Sequence, residues 1–279
     1  MHPVRGKGGQ LTVLSGYWHE FTTRDFAAVD ADRTVAVLPV GAIEQHGPHL
    51  PLNTDACINA GIVARAFDHV PDDAGLVVLP DLQVGDSTEH TAFPGTISAR
   101  PETLIRLWTE IGESVAAAGI AKLILFNTHG GQPQVADIVA LDLRKRWGML
   151  VAAANLSGFG VPDGVFDDGE LKHGIHGGAL ETSIMLHLRP DLVRWEEARD
   201  FTPLSREMAE SYRYLRPHGK LGFGWMAQDL NPAGVVGDAT RADPDTGRRI
   251  VEHVAQGLAQ LVAETARFPL SRLRDGPGP

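Results

Sequence analysis

Four short apolar runs constrain this chain more than any other feature: Val35–Val40, Gly75–Leu79, Ala121–Phe126 and Met149–Ala154. They are rich in Val, Ile and Leu and do not alternate with polar residues, which is how strands read when both faces are covered. Helical patterns lie between and after them. Ser98 is placed to cap a helix with Pro101 in its first turn, followed by Leu104, Leu107, Trp108, Ile111 and Val115 at helical spacing until Gly119. Further helices are predicted after Asp55 through Ile58, Ile62, Val63 and Phe67, from Pro133 to Trp147 with Gly148 as terminator, and from Gly178 to Leu188. A last one runs from Pro244 to Phe268, with Ile250, Val254, Leu258, Leu261 and Val262 on its apolar face. The alternation of strand and helix implies an α/β fold with a mostly parallel sheet and helices on both faces. Right-handed crossovers then bring every strand-to-helix loop to one edge of that sheet.

At 279 residues the chain has room for one large α/β domain or two small ones. It contains no repeat or linker, so residues 1–279 read as a single domain, with 191–243 as a loop-rich insertion. A net charge of −10 argues against a nucleic-acid partner, which calls for a basic footprint. The single cysteine, Cys57, permits no intrachain disulfide and reads as a small buried hydrophobe in a reducing compartment. The first residues lack a signal-peptide core, and no stretch approaches the roughly 18 to 20 apolar residues of a membrane span. A cytoplasmic protein without a membrane partner is the expectation.

The polar residues that can do chemistry gather in the loops that follow the four strands. They include Glu44, His46, His49 and Asp55 in the first, Ser87, Glu89 and His90 in the second, His129, Gly130 and Gly131 in the third, and His173, His176 and Glu181 in the fourth. In an open parallel sheet, ligands bind outside the carboxyl ends of the strands, where all four loops belong. Glu44, His46, Asp55, His129 and Glu181 mix oxygen and imidazole donors, which suits Zn, Mn, Fe or Co and not a thiolate or iron–sulfur site. Five such ligands are enough for two divalent ions about 3.5–4 Å apart if one carboxylate bridges them. The bland alternative makes Glu44 and His46 exposed loop residues and Asp55 a helix cap. Gly130 and Gly131 precede a helix and could offer backbone N–H groups to an anion, but no P-loop lysine or G-x-G-x-x-G accompanies them. Ser87 lacks the G-x-S-x-G elbow of a nucleophile and is taken as a substrate-binding hydroxyl. His173, His187, His218 and His253 have no such context and read as structural or solvent-exposed.

At these loops the sequence resembles the creatininase family of creatinine amidohydrolases. The segments that carry the resemblance are PVGAIEQHGPHLPLNTD, GDSTEHTAFPGTIS, NTHGGQ, HGGALETS and GVVGDATRADPDTG, in family order from about residue 38 to 247. The resemblance implies a three-layer α/β/α fold, two divalent ions, hydrolysis of a C–N bond in a small amide, and a homo-oligomer, commonly a hexamer. It implies that Glu44, Asp55 and His129 hold one ion, that His46, the shared Asp55 and a further glutamate hold the other, and that His176 shuttles protons. Two positions depart from the family pattern. Gly131 stands where a ligand glutamate is expected, which makes Glu181 the candidate for that ligand, and Lys172 stands where a tryptophan covers the creatinine ring.

The leading expectation is therefore hydrolysis of a small non-peptide or cyclic amide by a metal-bridging hydroxide, with His176 and Glu181 as catalytic residues. Ser87, His90, Gly130, Gly131 and Lys172 are the substrate-binding candidates, with Lys172 favouring an anionic group. The alternatives are trimming of a short peptide and a non-catalytic metal-binding relative.

Overall fold

The run around Val37 forms a strand with all of its residues buried, as its lack of alternation predicts. The protein is described here from a computed structural model covering residues 11–219 and 221–276. Its elements in chain order are β1 (Gly16–Tyr17), α1 (Thr23–Ala27), β2 (Thr34–Val40), α2 (Thr54–Ala66), β3 (Gly75–Val78), α3 (Pro101–Ala117), β4 (Lys122–Asn127), α4 (Pro133–Trp147) and β5 (Leu150–Asn155). After these come α5 (Asp168–His173), α6 (Ala179–Leu188), β6 (Asp200–Phe201), α7 (Leu204–Ser211), α8 (Ala227–Leu230), β7 (Gly237–Asp238) and α9 (Pro244–Arg267).

Strands β1 to β5 pair in parallel in the order β1-β3-β2-β4-β5. Alternate residues of the central strands feed two separate cores. Val35, Val37, Ile124 and Phe126 pack with Ile58 and Ile62 of α2, Ile184 of α6 and Ile250, Val254 and Leu258 of α9. Ala36, Leu38, Val40, Leu123 and Leu125 pack on the other face with Leu104 and Trp108 of α3 and Val139 and Leu143 of α4. The fold is thus the three-layer α/β/α arrangement, and burial of each large aliphatic contributes about 1.5–3 kcal/mol. No helix among the described residues is long and apolar enough to cross a membrane.

Two local expectations need correction, and one strand was not anticipated. The cap of α3 is Arg100, not Ser98, whose hydroxyl instead accepts the Ser87 N–H at 2.9 Å. Strand β1 went unseen in the sequence because two residues carry no periodicity. Cys57 is only half-buried, packed at the margin of the α2, α6 and α9 core. The 191–243 region holds short helices and the antiparallel pair β6–β7, gathered on Ala198, Phe201, Val235 and Ala239.

The ends of β2 and β4 are tied together beneath the loops. Asn59 of α2 donates to the carbonyls of Val40 and Phe126 at 3.1 and 3.0 Å. Gln132 donates to the Gly41 carbonyl and the Asn127 side chain and accepts from the Asp86 N–H. One buried amide therefore fixes the loops after β2, β3 and β4 relative to one another.

Candidate metal centre

Asp55 is the point where the loops converge. The cap of α2 is Asn53, so Asp55 sits inside the first turn with its carboxylate free to face outward. Its Oδ2 lies 3.3 Å from His129 Nδ1, and its Oδ1 lies 3.5 Å from His46 Nε2. Glu44 Oε2 stands 3.3 Å from the same His129 nitrogen, and Glu181 Oε2 stands 3.7 Å from the same His46 nitrogen. Two groups of potential ligands result, Glu44/Asp55/His129 and His46/Asp55/Glu181, with Asp55 common to both. A third grouping of Glu44, His46 and His176 overlaps them.

Each histidine is oriented from behind. His129 Nε2–H donates to the Asp86 carbonyl at 2.7 Å, which leaves the Nδ1 lone pair facing the carboxylates. His46 Nδ1–H donates to the Glu44 carbonyl at 3.1 Å, which leaves Nε2 free. Such outer hydrogen bonds set the tautomer of a metal-ligating imidazole. Both oxygens of Glu44, His46 Nε2 and Asp55 Oδ2 are buried without a hydrogen-bond partner. Buried polar atoms almost always have partners, so four orphans aimed at common points mark a place for cations.

The electrostatics agree. Burial opposes charge on His46, yet Asp55, Glu181 and Glu44 push its pKa up to about 9. Burial likewise opposes charge on His129, and Glu44 and Asp55 raise it well above the usual imidazole value. Asp55, against its own burial, is held below the usual carboxylate range by His46 and His129. The carboxylates demand positive charge, and a divalent ion would satisfy that demand as protons do.

The centre forms the floor of a cavity of about 710 Å³, lined also by Glu89, His90, Gly130, Gly131 and His176, with Leu156, Leu171, Ile175, Leu180 and Trp225 on its apolar side. His176 donates from Nε2 to the Gln45 carbonyl at 2.8 Å and turns Nδ1 towards Glu44 Oε1, 3.7 Å away. Burial, then the nearby His46, lowers its pKa to about 4. His90 Nδ1 accepts from the Gln45 amide at 2.8 Å, its Nε2 lies 3.4 Å from Glu44 Oε1, and burial keeps it neutral.

The other sequence candidates divide. Gly130 and Gly131 line the cavity, whereas Ser87 and Lys172 do not. Ser87 is fully buried with its hydroxyl unpartnered, below the surface a substrate reaches. Lys172 is exposed on α5, and only its carbonyl is engaged, by His218 Nε2 at 2.9 Å. His218, set aside in the sequence, reaches the cavity wall together with Trp225. Nothing local in the 212–226 stretch announces this. Gln45, Asn59, Asn127 and Gln132 were also missed, although the position of Gln45 between Glu44 and His46 was a usable signal.

Fold and site together define an α/β/α protein with an acidic, imidazole-rich centre for two cations at the carboxyl edge of its sheet. The creatinine amidohydrolase family model matches residues 19–262, and the chain belongs to the creatininase family. The mycofactocin precursor peptide peptidase of Mycolicibacterium smegmatis is 32% identical over 232 residues, covering 82% of this chain and 84% of that protein. The creatinine amidohydrolase of Pseudomonas putida is 29% identical over 282 residues, covering 94% and 96%. A solved mutant creatininase of Zn–Zn type superposes with a TM-score of 0.73 at 28% identity, covering 90% of this chain and 98% of that one.

Proposed function

We propose that this chain hydrolyses the C–N bond of a small non-peptide or cyclic amide with two divalent ions. One ion would be held by Glu44, Asp55 and His129, the other by His46, Asp55 and Glu181. The observation that carries this reading is Asp55 offering one oxygen to each ligand group at a cavity of about 710 Å³. The donor set suits zinc or manganese, and the similar creatininase structure is of Zn–Zn type. When bound, such ions acidify water and polarise a carbonyl. His176 enters neutral, because burial holds its pKa at about 4, and can take a proton at Nδ1. The bond from Nε2 to Gln45 keeps that nitrogen aimed into the cavity, from which it can pass the proton to the leaving nitrogen. The Gly130 and Gly131 backbone lines the same cavity, and its N–H groups are the proposed donors to a developing oxyanion.

A second reading, trimming of a short peptide, is favoured by the cavity of about 710 Å³ and by the peptidase relative at 32% identity. Chelator-stripped and metal-reconstituted protein assayed with creatinine, formamides and short peptides separates the two. Amide hydrolysis that appears only on reconstitution supports the proposal. Activity that survives complete metal removal overturns it, and turnover of peptides alone selects the second reading.

A further inference from the structure

The two ligand groups account for three of the cavity's carboxylates and leave a fourth, Glu89, outside both. Glu89 stands on the helical turn Thr88–His90, with its side chain 17% exposed. Its Oε1 lies 3.9 Å from both His90 Nε2 and His129 Nε2. Neither imidazole hydrogen-bonds it: His129 Nε2–H is committed to the Asp86 carbonyl, His90 Nε2 lies nearer Glu44, and burial raises the Glu89 pKa against the opposing charge of His129. Among the described residues no lysine or arginine lines the cavity, and Lys172 stands outside it. Gly131 makes the seat possible, since a Cβ there would collide with Glu89 Oε1 and crowd the His129 ring.

We propose that Glu89 is the specificity-determining contact of the cavity and receives an ammonium group carried by the amide substrate. The proposal rests on the amide-hydrolase reading for the reaction and adds the class of substrate. A carboxylate with most of its hydration removed is costly unless paired. Two divalent ions together with one hydroxide would balance Glu44, Asp55 and Glu181 within the centre, leaving Glu89 to face what enters from the mouth. An ammonium group meets it with a charge-assisted hydrogen bond. A neutral isostere leaves the carboxylate poorly paired, and an anionic amide is repelled. This reverses the preference for an anion that Lys172 suggested.

The test uses the full chain reconstituted with zinc, as wild type and as Glu89→Gln. Binding is measured by calorimetry and ammonia release by assay, with alaninamide, lactamide and succinamate as ammonium, neutral and anionic probes. In the wild type alaninamide should bind tightest. Glu89→Gln should weaken it about ten- to hundredfold, the range of a hydrogen bond to a charged group, and leave lactamide within about twofold. Zinc content should be unchanged. An absence of alaninamide preference in the wild type, an equal loss for all three probes, or loss of an ion in the variant overturns the proposal. Selective binding without ammonia release would sustain Glu89's role and sink the hydrolase reading. Hydrolysis without selectivity would do the opposite.

Discussion

Glu170→Gln puts a strict demand on how the His176 loop is held. Glu170 is 2% exposed and touches no ligand of the proposed centre. One of its oxygens accepts the Ala179 N–H at 2.9 Å, at the start of α6, and the other accepts the Asp238 N–H at 3.0 Å, in β7. Gly174, Gly178 and Gly237 close around it so tightly that a Cβ on any of them would press on Oε1. The segment clamped in this way carries His176, which bridges to Val236, and Glu181, whose Oε2 accepts the Gly177 N–H at 2.6 Å. A glutamine keeps one acceptor and turns an NH2 group towards the other backbone N–H. With about 1.5–3 kcal/mol for a hydrogen bond to a charged group, and a buried donor left unpaired, the loss should be about 3 kcal/mol. Unfolding entropy of about 2.1 cal/mol/K per residue over 279 residues converts this to a fall in Tm of about 5 °C. Displacement of His176 and Glu181 should also lower kcat on the order of tenfold or more. Differential scanning calorimetry of the metal-loaded protein, with steady-state kinetics on the same sample, measures both. A Tm within about 1 °C of wild type with unaltered kcat would refute the clamp.

Two further perturbations address the centre and its surroundings. Asp55→Asn should release both ions, whereas Glu181→Gln should release only the one beside His46. Metal analysis after gel filtration reads this directly, and retention of both ions by Asp55→Asn would end the shared-ligand assignment. His49 is fully buried, and burial, followed by the charge of His46, lowers its pKa to about 4 even though it donates to the Gly177 carbonyl. Its folded state favours the neutral form, so its stabilisation is complete above the unfolded value of about 6.5 and is lost as pH falls from there to about 4. The shift corresponds to about 3 kcal/mol, and His49→Gln should flatten the dependence of Tm on pH over that window. Parallel curves for the two proteins would reject this account.

The sheet was legible because buried parallel strands leave uninterrupted apolar runs, and the boundaries of β2 to β5 fall within a residue or so of those runs. Glycine at 148, with φ of 69°, ends α4 in the left-handed conformation expected of it. Glu44, His46, Asp55 and His129 were legible through the E-Q-H element and through the topology that places all strand-to-helix loops on one edge. The sharing of Asp55 was implied by the family resemblance, and the coordinates add that each of its oxygens faces a different histidine, with Asn53 and not Asp55 at the cap of α2.

Lys172, Ser87 and Glu89 mark the boundary between the two kinds of information. A loop serine by residue type, and Lys172 by its place in the family pattern, suit substrate binding, and nothing in the sequence sets Glu89 apart from the other polar residues of its loop. Tertiary packing turned the Lys172 side chain to solvent, sank Ser87 under its loop, and gave Glu89 the space that Gly131 leaves empty. The sequence alone determined the layers, the edge that carries the site and the donor types, because periodicity and loop composition are local properties of the chain. Which polar side chains face the cavity was decided only by the tertiary structure, since it depends on contacts between loops distant in sequence, such as Gln132 with Asp86 and Glu170 with Asp238.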